Sequence, residues 1–185
     1  MIQYFATNFT RSDDWSEDLA LFRDAINEWN HLEPVPRFIA ICGDLANEWP
    51  GSVIGNKSKR REQLDDFRNA LESNLRSDIP LVLLGGNHDF LNTPTRQTIQ
   101  QYTKEFGDDY YSFWTGGVMF IVLNVQLYKD NSGDGGTELW HEQDQWLDKQ
   151  LLNAKVNNYT HIIVLQHVPW FLHNIDEPED EMVSI

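Results

Sequence analysis

Five residues in this chain carry side chains suited to metal and proton chemistry, and each follows an apolar run. Asp44 follows FIAICG, Asn87, His88 and Asp89 follow LVLLGG, and His167 follows IIVLQ. A carboxylate, an amide oxygen and an imidazole together suit a divalent ion of the Zn, Mn or Fe class. A carboxylate can also bridge two ions, and two ions ~3.5–4 Å apart can clamp the attacking and leaving oxygens of a phosphoryl transfer while activating water. A histidine beside such a centre, oriented by a carboxylate, can protonate a leaving oxygen. Each residue alone has a plainer reading: Asp44 as a loop cap, Asn87 as a turn residue, His88 and Asp89 as an ordinary loop pair, His167 as a satisfied strand-end histidine. Three polar strand ends in one chain favour the constellation.

The elements that would position these residues are legible as hydrophobic periodicity. RFIAIC, PLVLLG and HIIVLQHVPW read as strands, continuous in their apolar character and so expected to be buried on both faces. DYYSFWTGGVMFIVLN reads as a hairpin turning at Gly116-Gly117. Between them lie helical patterns. DDWSEDLALFRDAINEW carries Leu19, Phe22, Ala25, Ile26 and Trp29 on one stripe, with Asp14 and Glu17 as a capping box. SKRREQLDDFRNALESNL carries Leu64, Phe67, Leu71 and Leu75. TPTRQTIQQYTKEF is expected to start at an N-cap Thr93 with Pro94 in its first turn. ELWHEQDQWLDKQLLNA is expected to turn Trp146, Leu147, Leu151 and Ala154 inward.

Strands alternating with helices predict a layered α/β/α domain with a mixed sheet. In open α/β sheets ligands bind beyond the carboxyl ends of the strands, where all five residues fall. Glycines at 43, 85 and 86 allow the tight turns that bring them there.

With 185 residues, the chain suits one domain spanning 1–185 and needs no disulfide staple. The formal charge of −15 repels phosphate backbones, so nucleic-acid and anionic-membrane partners are not expected. The single cysteine, Cys42, fits a reducing compartment; it is expected to be a buried small hydrophobe. MIQYFATNFTRSDD lacks the features of a secretory signal, and no apolar run reaches the ~20 residues of a membrane span, so the expected location is cytoplasmic. Absence of a GxGxxG or Walker glycine loop argues against a nucleotide-binding module. His31, His141, His161 and His173 read as surface residues, KSKRR at 57–61 as a solvated helix start, and DEPEDEM as a solvated acidic loop. Trp49-Pro50-Gly51 reads either as the rim of the site or as a packed loop.

GDL at 43–45, GNHD at 86–89 and QHVP at 166–169 resemble the second, third and fourth signature blocks of the calcineurin-like metallophosphoesterases. DDYYSFWTGGVMFIVLNVQLY, QDQWLDKQL and GNHDFLNTPT are similar to a serine/threonine phosphatase branch of that family, and the likeness runs from about Asp14 to Asp180. The resemblance implies Asp44 bridging two divalent ions, Asn87 and His167 completing the ligation of one, His88 contacting substrate phosphate as general acid, and Asp89 orienting His88. It implies hydrolysis of a phosphomonoester, in this branch a phosphorylated protein, through metal-activated water.

Two family blocks are missing from the pattern. No Asp-x-His or Asp-x-Gln precedes the first helix, and no Gly-His-x-His follows His167. The expectation is therefore a domain incomplete at both ends, with one well-held ion in place of two and a sheet edge left uncovered. The alternative function is a non-catalytic chain of this fold that binds a protein partner.

Overall fold

The computed structural model describes residues 15–51 and 55–169. Asp14, His173 and the DEPEDEM stretch lie outside them. In chain order the elements are α1 (Ser16–Asn30), β1 (Ile39–Cys42), α2 (Lys57–Asn74), β2 (Leu81–Leu84), α3 (Asn87–Phe90), α4 (Arg96–Phe106), β3 (Tyr111–Thr115), β4 (Val118–Val122), α5 (Gln126–Lys129), α6 (Gly136–Val156) and β5 (Ile162–Leu165).

The α/β layering follows the expected pattern, with the strands divided between two sheets. β1 and β2 pair in parallel, with Ile39 opposite Leu81 and Cys42 opposite Leu84. In the other sheet β4 is central: antiparallel to β3 through the Gly116-Gly117 turn, parallel to β5 with Met119 opposite Ile162. The sheets meet over one apolar cluster. Val82 and Leu84 pack with Val122, joined by Phe38, Ala40, Tyr111, Phe113 and Leu165. Helices cover the outer faces. Ile41, Leu81 and Leu83 pack against a core of Leu19, Phe22, Ile26, Phe67, Leu71, Phe90 and Tyr102, in which the Phe22 and Phe67 rings stack at 5.2 Å. Met119, Ile121 and Leu123 pack against Ala154, Trp146 and Leu147 of α6. Among the described residues no helix is long and apolar enough to cross a membrane.

Of the three strands expected to be buried on both faces, none is fully so. β2 alternates half-buried and buried residues, β1 is half-buried and ends exposed at Cys42, and Ile162, Ile163 and Val164 of β5 are exposed. The cause is position. Among the described residues β1, β2 and β5 each have a strand neighbour on one side only; β2 buries Val82 and Leu84 because they pack on Val122 of the other sheet, and central β4 is buried from Met119 onward. Cys42 is accordingly no core hydrophobe.

Three local expectations also change. The third helical pattern starts later than Pro94 suggests: Thr95 is the N-cap, its Oγ1 accepting from Thr98 N at 3.2 Å, while Thr93 Oγ1 donates to Asp130 Oδ2 at 2.6 Å. Pro94 therefore precedes the cap. Leu151 is 41% exposed, because the inward stripe of α6 narrows towards Ala154. Helix α1 begins at Ser16 after Trp15, with no side-chain cap bond. Helix α2 is capped by Asn56, whose side chain accepts from Ser58 N and Lys59 N, both at 3.1 Å.

Candidate metal centre

Each loop that leaves a strand at the shared rim is built for close approach. After β1 the chain reverses through Gly43 and Asp44, at φ +89° and +55°. A Cβ at Gly43 would lie 2.6 Å from His167 Nδ1. After β2, Gly86 is extended and α3 begins at once, with Asp89 N and Phe90 N donating to Gly86 O at 3.0 and 3.1 Å. A Cβ at Gly86 would meet Asp44 Oδ1 at 2.3 Å and His167 Cε1 at 2.8 Å. Only glycine at these two positions lets the three loops share one small volume.

Asp44, Asn87 and His167 come together there. His167 Nε2 lies 3.1 Å from Asn87 Oδ1 and 3.4 Å from Asp44 Oδ1. The side chains of His167 and Asp44 are only 6% and 13% exposed. His167 Nδ1 stands 2.7 Å from the Cys42 carbonyl oxygen, so Nδ1 carries the hydrogen and donates it. With that hydrogen on Nδ1, the ring aims Nε2 at two oxygen acceptors. A proton or a cation relieves three converging acceptors, and a backbone carbonyl on the far nitrogen is the usual outer support of a metal-binding histidine. The spacing also fits: ligand atoms ~2.0–2.2 Å from one ion stand about 3–3.5 Å from each other. These residues thus suit one divalent ion. Among the described residues, no cluster of three or more His, Cys, Asp and Glu side chains forms a further metal site.

His88 stands beside this trio. Its backbone N–H donates to Asp44 Oδ1 at 3.0 Å. Its ring stacks on Trp49, centroids 4.1 Å apart and planes 26° apart, and its Nδ1 meets the Asn47 carbonyl oxygen. Asp89 does not hold that ring, contrary to the role the sequence suggests. The carboxylate points the other way: Oδ2 accepts from Gly86 N at 2.9 Å and Leu45 N at 3.1 Å, and Oδ1 faces Arg60 Nη2 at 3.4 Å. The physical reason is register. Asp89 is the third residue of the turn that Gly86 opens, so its side chain reaches back to the Gly86 N–H as an N-terminal helical acid does. Burial pushes the Asp89 carboxyl upward, opposed by the Gly86 N–H, the Arg60 charge and the Leu45 N–H.

Arg60 was legible only as part of a solvated basic run, yet it is 5% exposed. A signal was present. Arg60, Gln63, Leu64, Phe67 and Leu71 repeat at helical spacing and all are buried, so Arg60 occupies the inward stripe of α2. Asn47 has no motif of its own beyond the short loop that follows GDL, whereas Trp49, read either as the rim of the site or as a packed loop, stacks on His88. His31, His141 and His161 are exposed and away from the trio, as their sequence settings suggest.

Comparison with known proteins places this geometry in context. The model of the calcineurin-like phosphoesterases matches residues 12–184. The serine/threonine-protein phosphatase CPPED1 of Homo sapiens is 45% identical over 168 residues, which cover 91% of this chain and 51% of that protein. The protein of the same name from Danio rerio is 42% identical over 168 residues, 91% of this chain and 52% of its own length. Purple acid phosphatase 15 of Arabidopsis thaliana is 27% identical over 116 residues, 57% of this chain and 20% of that protein. The chain spans about half the length of the CPPED1 relatives it matches. All these relatives bear the names of phosphatases, which lends no support to a non-catalytic partner-binding chain.

Proposed function

The chain belongs to the calcineurin-like phosphoesterase family, and from that premise we propose that it is a metal-dependent phosphomonoester hydrolase acting on phosphoserine or phosphothreonine in proteins. The observation that carries this reading is the approach of Asn87 Oδ1 and Asp44 Oδ1 to His167 Nε2, at 3.1 and 3.4 Å, at one rim of the two sheets. The protein-substrate part rests on the names of the CPPED1 relatives. A cytoplasmic setting is supported by a single cysteine, which suits a reducing compartment.

Asp44, Asn87 and His167 would hold a divalent cation of the Mn, Fe or Zn class. The chemistry such a cation supplies when bound is charge stabilisation at the phosphoryl group and activation of water. The remaining work falls to the chain itself. The Cys42 carbonyl keeps the Nδ1 hydrogen of His167 in place, so that Nε2 stays the ligating nitrogen. The Asn47 carbonyl engages His88 Nδ1, leaving His88 Nε2 to deliver a proton to the departing oxygen. Trp49 covers one face of that imidazole and limits water to the other. The Asp44 carboxylate accepts the His88 backbone N–H, coupling the position of the acid to that of the ligand set.

The test is metal binding and turnover on the same protein. Titration with Mn²⁺ or Zn²⁺, followed by assay on p-nitrophenyl phosphate and on a phosphoserine peptide, is expected to show one tight site and hydrolysis of both substrates. Asp44→Asn is expected to lose both. Wild-type protein that binds neither ion, or binds one and cleaves neither substrate, would overturn the reading.

A further inference from the structure

The guanidinium of Arg60 reaches from α2 into the space between the two loops that present the site. Its Nη1 donates to the carbonyl oxygen of His88 at 2.7 Å and also to that of Glu48. Its Nη2 faces Asp89 Oδ1 at 3.4 Å, with side-chain exposures of 7% and 0%. Glu48 lies between Asn47, whose carbonyl engages the His88 ring, and Trp49, on which that ring stacks. One nitrogen of Arg60 therefore ties the backbone of His88 to the middle of the segment that grips its imidazole. Gln63, one turn further along α2, accepts from Glu48 N at 2.8 Å and fastens the same segment.

We propose that Arg60 is a positioning residue for His88: by bridging the Glu48 and His88 carbonyls it sets the imidazole, clasped between Asn47 and Trp49, at the angle needed to serve the reacting phosphoester. The inference deepens the phosphatase reading and rests on it for the role of His88. A guanidinium suits the task because its planar fork presents several donors in fixed directions, which a single ammonium cannot copy. The consequence is specific. A misdirected acid harms substrates whose leaving oxygen must be protonated, such as an alkyl phosphate on serine, far more than an aryl phosphate whose leaving group departs unaided. A displacement of about 1 Å at a reacting group can cost ~100-fold in rate.

The experiment uses Arg60→Gln and Arg60→Lys, with Arg61→Gln as the neutral neighbour; Arg61 is exposed and pairs with Asp65. Arg60→Gln is expected to lower kcat on a phosphoserine peptide at least about tenfold more than kcat on p-nitrophenyl phosphate, with KM changed less than about twofold. Arg60→Lys keeps a charge beside Asp89 but loses the fork; it is expected to fall between, and it carries the test if Arg60→Gln does not fold. The stacked ring of Trp49 should displace the His88 Cε1–H resonance in the wild type, and that resonance is expected to move towards its free value in both variants. Trp49→Ala is expected to abolish that displacement and Trp49→Phe to retain most of it. Equal loss on both substrates, or a His88 resonance unmoved in the Arg60 variants, would overturn the proposal. Should the wild type cleave neither substrate, the phosphatase reading falls, while the resonance still decides whether Arg60 orients the ring.

Discussion

Eighty positions separate Asn87 from His167 in sequence, and the Oδ1 of one lies 3.1 Å from the Nε2 of the other. They also belong to different sheets: Asn87 follows β2 of the parallel pair, and His167 follows β5 of the three-stranded sheet. The proposed cation site therefore sits on the seam between the sheets, and its integrity reports on how they are joined.

Removing either partner is expected to weaken cation binding without unfolding the protein. His167→Ala and Asn87→Ala should each raise the Kd for Mn²⁺ or Zn²⁺ by ~10-fold or more, since even outer supports of metal ligands commonly contribute 10- to 100-fold. Isothermal titration alongside circular dichroism checks this. Unchanged affinity in both variants would separate the trio from any cation.

Gly86→Ala should damage the site through space alone. Its methyl group would sit 2.3 Å from Asp44 Oδ1 and 2.7 Å from Asp44 N. The Asp44 backbone cannot yield cheaply, because the same loop receives the Cys42–His167 contact. Overpacking of this kind costs ~1–3 kcal/mol. The expected outcome is a lower unfolding midpoint in urea together with weaker cation binding. A variant with wild-type stability and affinity would mean that the loops pack less closely than the structure has them.

Asp109 offers a pH-dependent contribution remote from the proposed centre. Its carboxyl is raised chiefly by burial, although Asn124 Nδ2 donates to it at 2.9 Å. The folded state thus holds the proton more tightly than the unfolded chain does. Between the ordinary Asp value of ~3.9 and the raised folded value, the native state binds more protons, so stability falls as pH rises through that window. Asp109→Asn is expected to remove this component, so that the variant gains on the wild type as pH climbs from about 4. Urea midpoints across a pH series give the comparison, and parallel curves for the two proteins would refute it.

Two isoleucines on neighbouring strands of one sheet, Ile121 opposite Val164 and Ile163 opposite Phe120, should respond very differently to change. Ile121 in central β4 is fully buried, and Ile163 in edge β5 is 44% exposed. Ile121→Ala is expected to cost ~2–5 kcal/mol through lost contacts and a residual cavity. Ile163→Lys is expected to stay within about 0.5 kcal/mol and to raise solubility by breaking an apolar edge. Denaturant titration of both variants reads the difference directly.

Much of the architecture was legible because it is periodic. The stripe of Leu19, Phe22, Ile26 and Trp29, the runs IAIC and LVLL, and the Gly-Gly hairpin all follow from local side-chain spacing and turn chemistry. The candidate ligands were legible for a related reason: polar residues with metal-binding chemistry stood directly after apolar strands, where an α/β fold leaves its ligand-binding rim. Misreadings arose where a residue's setting depends on a distant segment. β5 reads as a core strand from its letters, but its burial depends on its neighbours, and it lies at an edge among the described residues. Arg60 reads as solvated beside Lys57, Lys59 and Arg61, but Asp89 and two carbonyls await it across the loop.

Alone, the amino-acid order determined which strands and helices form and which side chains could bind a cation, because both depend on properties carried within a few residues. Only the tertiary structure decided that β1 and β2 face a separate sheet, that His167 crosses the seam to meet Asp44 and Asn87, and that Asp89 turns to Arg60 instead of His88. Those outcomes depend on packing between segments 29 to 125 positions apart, for which no local pattern encodes distance or direction.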